Sequence, residues 1–266
     1  MLLTAGCSFV WGDELEGFDQ DPPSHWDLTF TAITARALGI EYVNRGSCGA
    51  CNEKIFREVT DFLHKTPDTV THMVVMWSAW QRKEHVEYMP AAQGSGMRRD
   101  EDVTQFSSLR TDVIHNKQMR ESMDNLYNTA YDSKTDIMHT ITNMKALEII
   151  CEAKNIKLVQ GVFHHRNWSN LMCVLGDVLP PDATRDTYED ENLSINDIPE
   201  YRRWLTESLG SLKRASRVGL GRGEDLFSVS QILQDTKEFG HPGEESQEVF
   251  SKFLLRTFEN STQEKV

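Results

Sequence analysis

The sequence is poor in basic residues. Its 266 residues contain 28 Lys and Arg against 41 Asp and Glu, which leaves a formal net charge of −13. Proteins that bind nucleic acid or an anionic membrane surface use clusters of Lys and Arg to neutralise phosphates. The acidic balance therefore argues against both nucleic-acid and membrane partners.

Long apolar runs and an export signal are also missing. No apolar stretch approaches the roughly 20 residues of a membrane-spanning helix, and the apolar start at residues 1–5 is short and has no basic leader. The cysteines are odd in number and scattered, which does not indicate a disulfide framework and fits a reducing compartment. We therefore expect a cytoplasmic protein. The five cysteines are Cys7, Cys48, Cys51, Cys151 and Cys173.

The residues that are present indicate a globular α/β chain, with 39% apolar and 9% aromatic content. Strands alternating with helices are typical of a parallel α/β sheet. Apolar runs predict strands at residues 1–5, 40–44, 71–77 and 156–163. Amphipathic stretches predict helices at residues 24–38, 52–64, 133–154, 199–212 and 244–258.

Residues 82–131 interrupt this alternation. The stretch is polar, contains Gly94 and Gly96, and shows only weak periodicity. A compact domain rarely contains a structureless loop of this length. We expect a single domain over residues 1–266, with an insertion at about residues 82–131 that forms short helices of its own.

Two glycine-containing loops follow the first two predicted strands. Gly6 and Gly12 flank Ser8 after the first strand, and Gly49 lies after the second. In a parallel sheet such loops meet beyond the carboxyl ends of the strands, where ligands bind. Ser8 can present a nucleophilic hydroxyl and its own amide, and Gly49 can aim an amide at an oxyanion. The alternative for the Ser8 segment is a plain turn that caps the next element.

A third segment, Glu238 to Pro242, precedes the last predicted helix. His241 is the best candidate for a general base, since Glu238 three residues earlier could orient its ring. The alternative is a loop histidine whose neighbour Pro242 starts the helix. Taken alone, the segment does not decide between the two interpretations.

Cys48 and Cys51 form a Cys-x-x-Cys pair after the second predicted strand. A zinc site needs a second cysteine pair or suitably spaced histidines, and the sequence has neither. We therefore predict no metal, and we interpret Asn52 as the N-cap of the following helix.

In this order, Ser8, Gly49 and the Glu238–His241 pair resemble the motifs of the SGNH (GDSL-like) hydrolase family. The family's G-D-S-x-x-x-G block corresponds to residues 6–12, and its D-x-x-H-P block ends on His241 and Pro242. In the second block, Gly49 follows Asn44 by five residues, as the family's oxyanion glycine follows an Asn.

The resemblance implies a three-layer α/β/α sandwich of flavodoxin-like type with a parallel sheet of about five strands. It also implies a serine esterase in which Ser8 is the nucleophile, His241 the base and Glu238 the orienting acid. The amides of Ser8 and Gly49 would form the oxyanion hole.

The sequence departs from the family pattern in three of the four blocks. Cys7 and Glu238 stand where the family has aspartates, and the block after the third strand lacks its Asn, so that Gln81 is the available third oxyanion donor. The Gly-Cys-Ser opening and the Trp-Ser-x-Trp-x-Arg third block look most like the divergent versions encoded by bacteriophages.

Three further side chains are candidates for substrate binding. Arg82 ends the third block, and His165 and Arg166 follow the fourth predicted strand, on the rim of the same site. The negative net charge would repel anionic substrates unless arginines such as Arg45 offset it locally. We therefore expect a neutral ester, such as an O-acetylated carbohydrate, as the substrate, and no cofactor.

Two other interpretations stay open. The departures from the motifs are compatible with a catalytically degenerate SGNH-fold protein that binds carbohydrate or acts as a phage structural or interaction protein. A separation of Ser8 and His241 beyond a hydrogen bond would favour that interpretation. A nucleotide or flavin binder is disfavoured, because no glycine-rich phosphate loop of recognised spacing is present.

Overall fold

The computed structural model describes residues 1–16, 25–66, 68–78, 83–88, 104–109, 133–162, 199–213, 226–237 and 241–263. The strands are β1 (Leu2–Gly6), β2 (Tyr42–Gly46), β3 (His72–Trp77), β4 (Lys83–Tyr88), β5 (Thr104–Leu109) and β6 (Lys157–Val162). The helices are α1 (Ser8–Trp11), α2 (Phe30–Leu38), α3 (Asn52–Lys65), α4 (Ser133–Ala153), α5 (Pro199–Gly210), α6 (Leu226–Leu233) and α7 (Glu244–Gln263). Within the described ranges, no helix is both long and apolar enough to span a membrane.

Four parallel strands form the central sheet in the order β2-β1-β3-β6. Every residue of β1 is buried, as are the last five residues of β3. Continuous apolar strands of this kind need cover on both faces, which is what parallel sheets receive from their helices. The predicted α/β class is confirmed, with four parallel strands in the described residues rather than about five.

The strand side chains show which helices cover which face. Successive side chains of a strand point to opposite faces, and in β3 the His72 ring meets Phe258 of α7 while Met73 sulfur lies 3.8 Å from the Cys151 sulfur of α4. The Thr4 hydroxyl of β1 lies 2.8 Å from the Thr31 hydroxyl of α2. Helices α2 and α7 therefore cover one face and α4, with α3 beside it, covers the other.

Gln160 is a polar side chain in this core that is hydrogen-bonded on two sides. The Trp77 indole donates to Gln160 Oε1 at 3.1 Å, and Gln160 Nε2 donates to the Met144 carbonyl at 2.9 Å. Gln160 is fully buried, so the loss of either hydrogen bond would leave a buried polar atom without a partner, which is destabilising. These two hydrogen bonds connect β3, β6 and α4.

Two local expectations are corrected, and the structure adds elements that were not predicted. The helix predicted at 24–38 begins at Phe30, because Thr29 caps it by accepting from the Ala32 amide; residues 25–28 form a 3₁₀ turn. Asn52 is not the N-cap of α3, since Cys51 holds that position. Helices α1 and α6 were not predicted. The described parts of the insertion are the antiparallel strands β4 and β5.

The segment before α7 is closed into a narrow loop. Thr236 and Pro242 pair across it, the Lys237 amide donates to the His241 carbonyl at 2.8 Å, and the Asp235 carboxylate accepts from the Ser246 amide at 2.8 Å. Asp235 thereby caps the N-terminus of α7 from outside the helix. This cap holds the backbone on either side of His241.

Replacing Asp235 with Ala should lower the free energy of unfolding by about 1–2 kcal/mol, because the Ser246 amide and hydroxyl in the first turn of α7 lose their acceptor. Urea denaturation followed by circular dichroism measures the change. Glu259→Ala, on an exposed turn of the same helix, is the control and should change stability by less than about 0.5 kcal/mol. Equal effects of the two substitutions would contradict the capping role.

Candidate active site

The loops that follow β1, β2 and β3 meet at one edge of the sheet, because these strands are parallel neighbours. The chain leaves β1 towards β2 on one side and later returns to β3 on the other. Such a reversal of strand order opens a crevice beyond the carboxyl ends of the strands, where ligands bind in open α/β sheets. Ser8, Gly49 and Ser78 all follow strands that end here.

Ser8 is the first residue of α1, a short helix held against the end of β2. Asn44 makes the connection: its side-chain amide donates to the Val10 carbonyl at 2.7 Å and its oxygen accepts from the Gly46 amide at 2.8 Å. A Cβ at Gly46 would lie 2.5 Å from the Trp11 nitrogen, so only glycine allows the helix to approach this closely. The nucleophile candidate therefore sits on a rigid support and is largely buried, at 6% exposure.

His241 reaches Ser8 from the opposite end of the chain. Its Nε2 lies 2.9 Å from the Ser8 Oγ, within hydrogen-bonding distance, and the ring packs at a tilt against Phe9, with 5.2 Å between centroids. The structure thus brings together the serine and the histidine that the sequence singled out. In this arrangement Nε2 can accept the proton of the hydroxyl.

The acid that contacts His241 is Glu14. Its Oε2 lies 2.6 Å from the ring Nδ1 and also accepts from the His241 backbone amide at 3.3 Å. Glu14 has a φ of 65°, a left-handed conformation that is uncommon outside glycine and persists where the surrounding structure determines it. The predicted orienting acid, Glu238, lies outside the described residues.

Sequence reasoning missed Glu14 because it looked for an acid close to the histidine in the chain. The only available signal was the Asp13-Glu14 pair immediately after the Ser8 block. Two acids on that loop cannot be assigned to a base 227 residues away until the fold is known.

A lysine close to Glu14 belongs to the same loop as His241. Lys237 donates to Glu244 at 2.6 Å, and Glu244 in turn accepts from the Glu16 amide at 3.2 Å. Burial is the largest single influence on Glu244 and opposes its ionisation. The hydrogen bond from Lys237, backbone hydrogen bonds including that from the Glu16 amide, and the lysine's charge together outweigh burial and lower the pKa of the carboxyl. These bonds tie the loop that carries Glu14 to the start of α7.

Gly49 lies in a turn beside the end of β1. The Ser47 amide donates to the Gly6 carbonyl at 3.0 Å, and the Ala50 amide closes the turn on the Ser47 carbonyl at 3.0 Å. Gly49 has a φ of 73°, which favours glycine. Among the described residues its amide donates no hydrogen bond to a backbone carbonyl.

The two cysteines of this turn have separate roles. Cys51 is buried and caps α3, its sulfur accepting from the Lys54 amide at 3.5 Å. Cys48 is exposed and faces Asp13. Partial burial, together with the charge of Asp13 and a hydrogen bond to it, raises the pKa of the Cys48 thiol to about 12. Cys48 is therefore a protonated thiol at neutral pH.

The loop after β3 is anchored at its first residue. Asn52 Oδ1 accepts from the Ser78 amide at 2.7 Å, and Asn52 Nδ2 donates to Thr140 Oγ1 at 3.1 Å. Arg45, expected to offset the negative charge, lies over the Phe62 ring. The candidate oxyanion donor and the candidate binding residues of the rim lie outside the described residues: Gln81, Arg82, His165 and Arg166.

One group of side chains within the described ranges has the spacing of metal ligands. Single ligand atoms of Glu53, Asp136 and His139 lie within 4.8 Å of one another. Glu53 and Asp136 each occupy the first turn of a helix. Carboxylates are favourable at that position because they complement the helix dipole, with or without an ion.

Comparison with known proteins gives likenesses of fold only. No protein-family model and no curated protein matches the sequence. A psychrotrophic esterase from Pseudoalteromonas sp. is similar at 11% identity and a TM-score of 0.47, covering 98% of both chains. A candidate lipolytic protein of the G-D-S-L family from Desulfitobacterium hafniense DCB-2 is similar at 10% identity and a TM-score of 0.41, covering 96% of this chain and 98% of that one.

A third similar structure is an alpha/beta hydrolase enzyme from the metagenome of Lake Arreo, Spain. Its identity is 12% and its TM-score 0.45, with 97% of this chain and 94% of that chain covered. At such low identity these likenesses do not assign the chain to a family.

Cys48 should react slowly with iodoacetamide at pH 8 despite its exposure, because alkylation requires the thiolate. Asp13→Asn removes the neighbouring charge, lowers the pKa of Cys48 and should speed its alkylation several-fold. Peptide-resolved mass spectrometry measures the rate for each cysteine. Buried Cys151 is the internal control, whose rate should not respond to the substitution. Wild-type Cys48 reacting as fast as in the urea-unfolded protein would contradict the assignment.

Proposed function

We propose that the protein is a serine ester hydrolase that works through an acyl-enzyme at Ser8. The observation that carries the proposal is the hydrogen-bonded series Glu14–His241–Ser8, with 2.6 Å from Glu14 to Nδ1 and 2.9 Å from Nε2 to Ser8 Oγ. A nucleophile, a base and an acid that orients the base are the parts that acyl transfer requires. The motif resemblance around Ser8 and His241 supports the same chemistry.

In the first half-reaction the Ser8 oxygen attacks the ester carbonyl carbon while its proton passes to His241 Nε2. The negative charge that develops on the carbonyl oxygen is held by the amides of Ser8 and Gly49, with Gln81 as the predicted third donor. Collapse of the intermediate breaks the bond to the alcohol, which leaves with the proton from Nε2. The product of this half is an ester between the acyl group and Ser8.

In the second half-reaction water attacks the acyl-enzyme and gives a proton to His241. The acid is released when that proton returns to the Ser8 oxygen. Glu14 stabilises the imidazolium that forms twice in the cycle and keeps the ring in the tautomer whose Nε2 faces the serine. No oxidant, metal or organic cofactor enters this balance.

The finer features of the prediction stay proposals. They are a neutral ester as the substrate, an O-acetylated carbohydrate as its example, binding by Arg82, His165 and Arg166, and the similarity to phage-encoded versions. The non-catalytic alternative would tolerate a wide separation of Ser8 and His241. The observed 2.9 Å contact favours the catalytic proposal instead.

Purified protein should hydrolyse p-nitrophenyl acetate and take a covalent label from a fluorophosphonate probe, since both reactions need an activated serine. Ser8→Ala should lose the label and at least about 1000-fold in kcat. Ser47→Ala, on the neighbouring loop, is the matched control and should keep the label. Equal hydrolysis by wild type and Ser8→Ala would reject the nucleophile.

Glu14→Gln should lower kcat by about 100-fold or more, because a neutral amide neither stabilises the imidazolium nor selects its tautomer. Glu238→Gln is the matched comparison and should keep most of the activity if Glu14 orients His241. Steady-state kinetics of the two variants, after a check of folding by circular dichroism, decides between the carboxylates. A loss of kcat in Glu238→Gln alone would show that Glu238, the predicted acid, orients His241.

A further inference from the structure

A second carboxylate lies beside the base, on the side where the reaction takes place. Asp13 Oδ2 is 3.5 Å from His241 Nε2, the same nitrogen that contacts Ser8 Oγ. Glu14, the next residue, contacts the other ring nitrogen. The proposed mechanism uses Ser8, His241 and Glu14 but gives Asp13 no role.

Asp13 is held in place but has little to neutralise it. Its side chain is 21% exposed and its backbone amide donates to the Ser8 carbonyl at 3.1 Å. Besides His241 it faces the Cys48 thiol, which stays uncharged at neutral pH. In the part of the chain that the structure describes, Asp13 makes no ion pair with a lysine or arginine. Lys54, in the first turn of α3, donates to the Ser47 hydroxyl at 2.8 Å.

The chemistry of ester cleavage says which part of a substrate passes Asp13. His241 Nε2 must protonate the alcohol oxygen as it leaves, so that oxygen comes within hydrogen-bonding distance of Nε2. Because Asp13 Oδ2 lies 3.5 Å from the same Nε2, the carboxylate is within reach of a group carried a few bonds beyond the leaving oxygen. The acyl chain extends from the carbonyl carbon in a different direction.

We propose that Asp13 is a specificity residue that selects esters whose alcohol part carries a cationic ammonium group two or three bonds from the ester oxygen. The inference rests on the proposed hydrolase function and narrows its substrate. A partly desolvated carboxylate attracts a nearby cation far more strongly than it would in water. The same charge repels an anionic alcohol part, and a neutral one gains nothing from it.

The neutral-ester expectation came from the net charge of −13 alone. A net charge describes the long-range field, which disfavours anions but does not separate neutral from cationic substrates. A single carboxylate beside the leaving group favours a cationic substrate over a neutral one. The preference therefore moves from neutral esters to esters of amino alcohols.

The test compares acetylcholine with 3,3-dimethylbutyl acetate, its uncharged isostere. Wild-type protein should show a kcat/KM about tenfold higher for acetylcholine, and Asp13→Asn should bring the ratio close to one, mainly through KM for the cationic ester. Asp61→Asn makes the same change of charge on the exposed face of α3 and should leave the ratio unchanged.

A second isosteric pair places the charge on the acyl side. The pair is ethyl 4-(trimethylammonio)butanoate and its uncharged isostere ethyl 5,5-dimethylhexanoate. The ratio of their kcat/KM values should not change in Asp13→Asn, because the cation of the charged ester lies on the acyl side, away from the carboxylate. A wild-type ratio of one for the acetate pair, or a ratio that survives Asp13→Asn, would overturn the specificity role.

Binding separates this inference from the hydrolase proposal. The affinity for acetylcholine is measured by NMR titration of two variants, Ser8→Ala and the double variant Ser8→Ala with Asp13→Asn. This measurement does not require the protein to hydrolyse the ester. About tenfold weaker binding in the double variant supports Asp13 as the cation site even if no ester is hydrolysed. Equal affinity of the two variants overturns it, whatever the hydrolysis experiments show.

Discussion

The contact between Glu14 and His241 is the interaction on which the candidate site depends. It joins residues 227 positions apart and draws the loop before α7 against the loop after α1. The left-handed backbone of Glu14 and the Asp235 cap of α7 both hold the partners of this contact in place. Conformational strain at one residue persists only where surrounding structure determines it, and here that structure comes from both ends of the chain.

The short segment from Ser8 to Glu14 concentrates the chemistry of the site. It supplies the candidate nucleophile and the two carboxylates that flank the ring of His241. The two acids differ in what they face. Glu14 contacts the ring nitrogen that points away from the serine, where a negative charge stabilises an imidazolium, whereas Asp13 lies at the nitrogen that faces the reacting groups. The same loop therefore provides one carboxylate that orients the histidine, Glu14, and one that can contact a substrate, Asp13.

The four strands of the sheet were predicted to within about two residues. For β1 and β3 the signal was an apolar run, which a parallel sheet covered on both faces requires. Two of the errors concern where a helix begins and which side chain caps it. Asn52 was interpreted as an N-cap, but its amide holds Ser78 at the end of β3 while a cysteine caps the helix. The helix expected from residue 24 starts at Phe30 because Thr29 supplies the cap. Helical periodicity does not distinguish a capping bond from a bond to a distant strand.

The sequence by itself determined the α/β pattern, the position of a serine after the first strand and the histidine before the last helix. Periodic burial and loop position are local properties, so they can be read along the chain. Tertiary structure alone decided that Glu14 contacts the histidine and that Asp13 lies at the reacting edge of the ring. Both carboxylates acquire their roles from a 2.6 Å and a 3.5 Å approach across the full length of the chain. Distances of that kind depend on how the sheet brings its two ends together, and no local pattern encodes them.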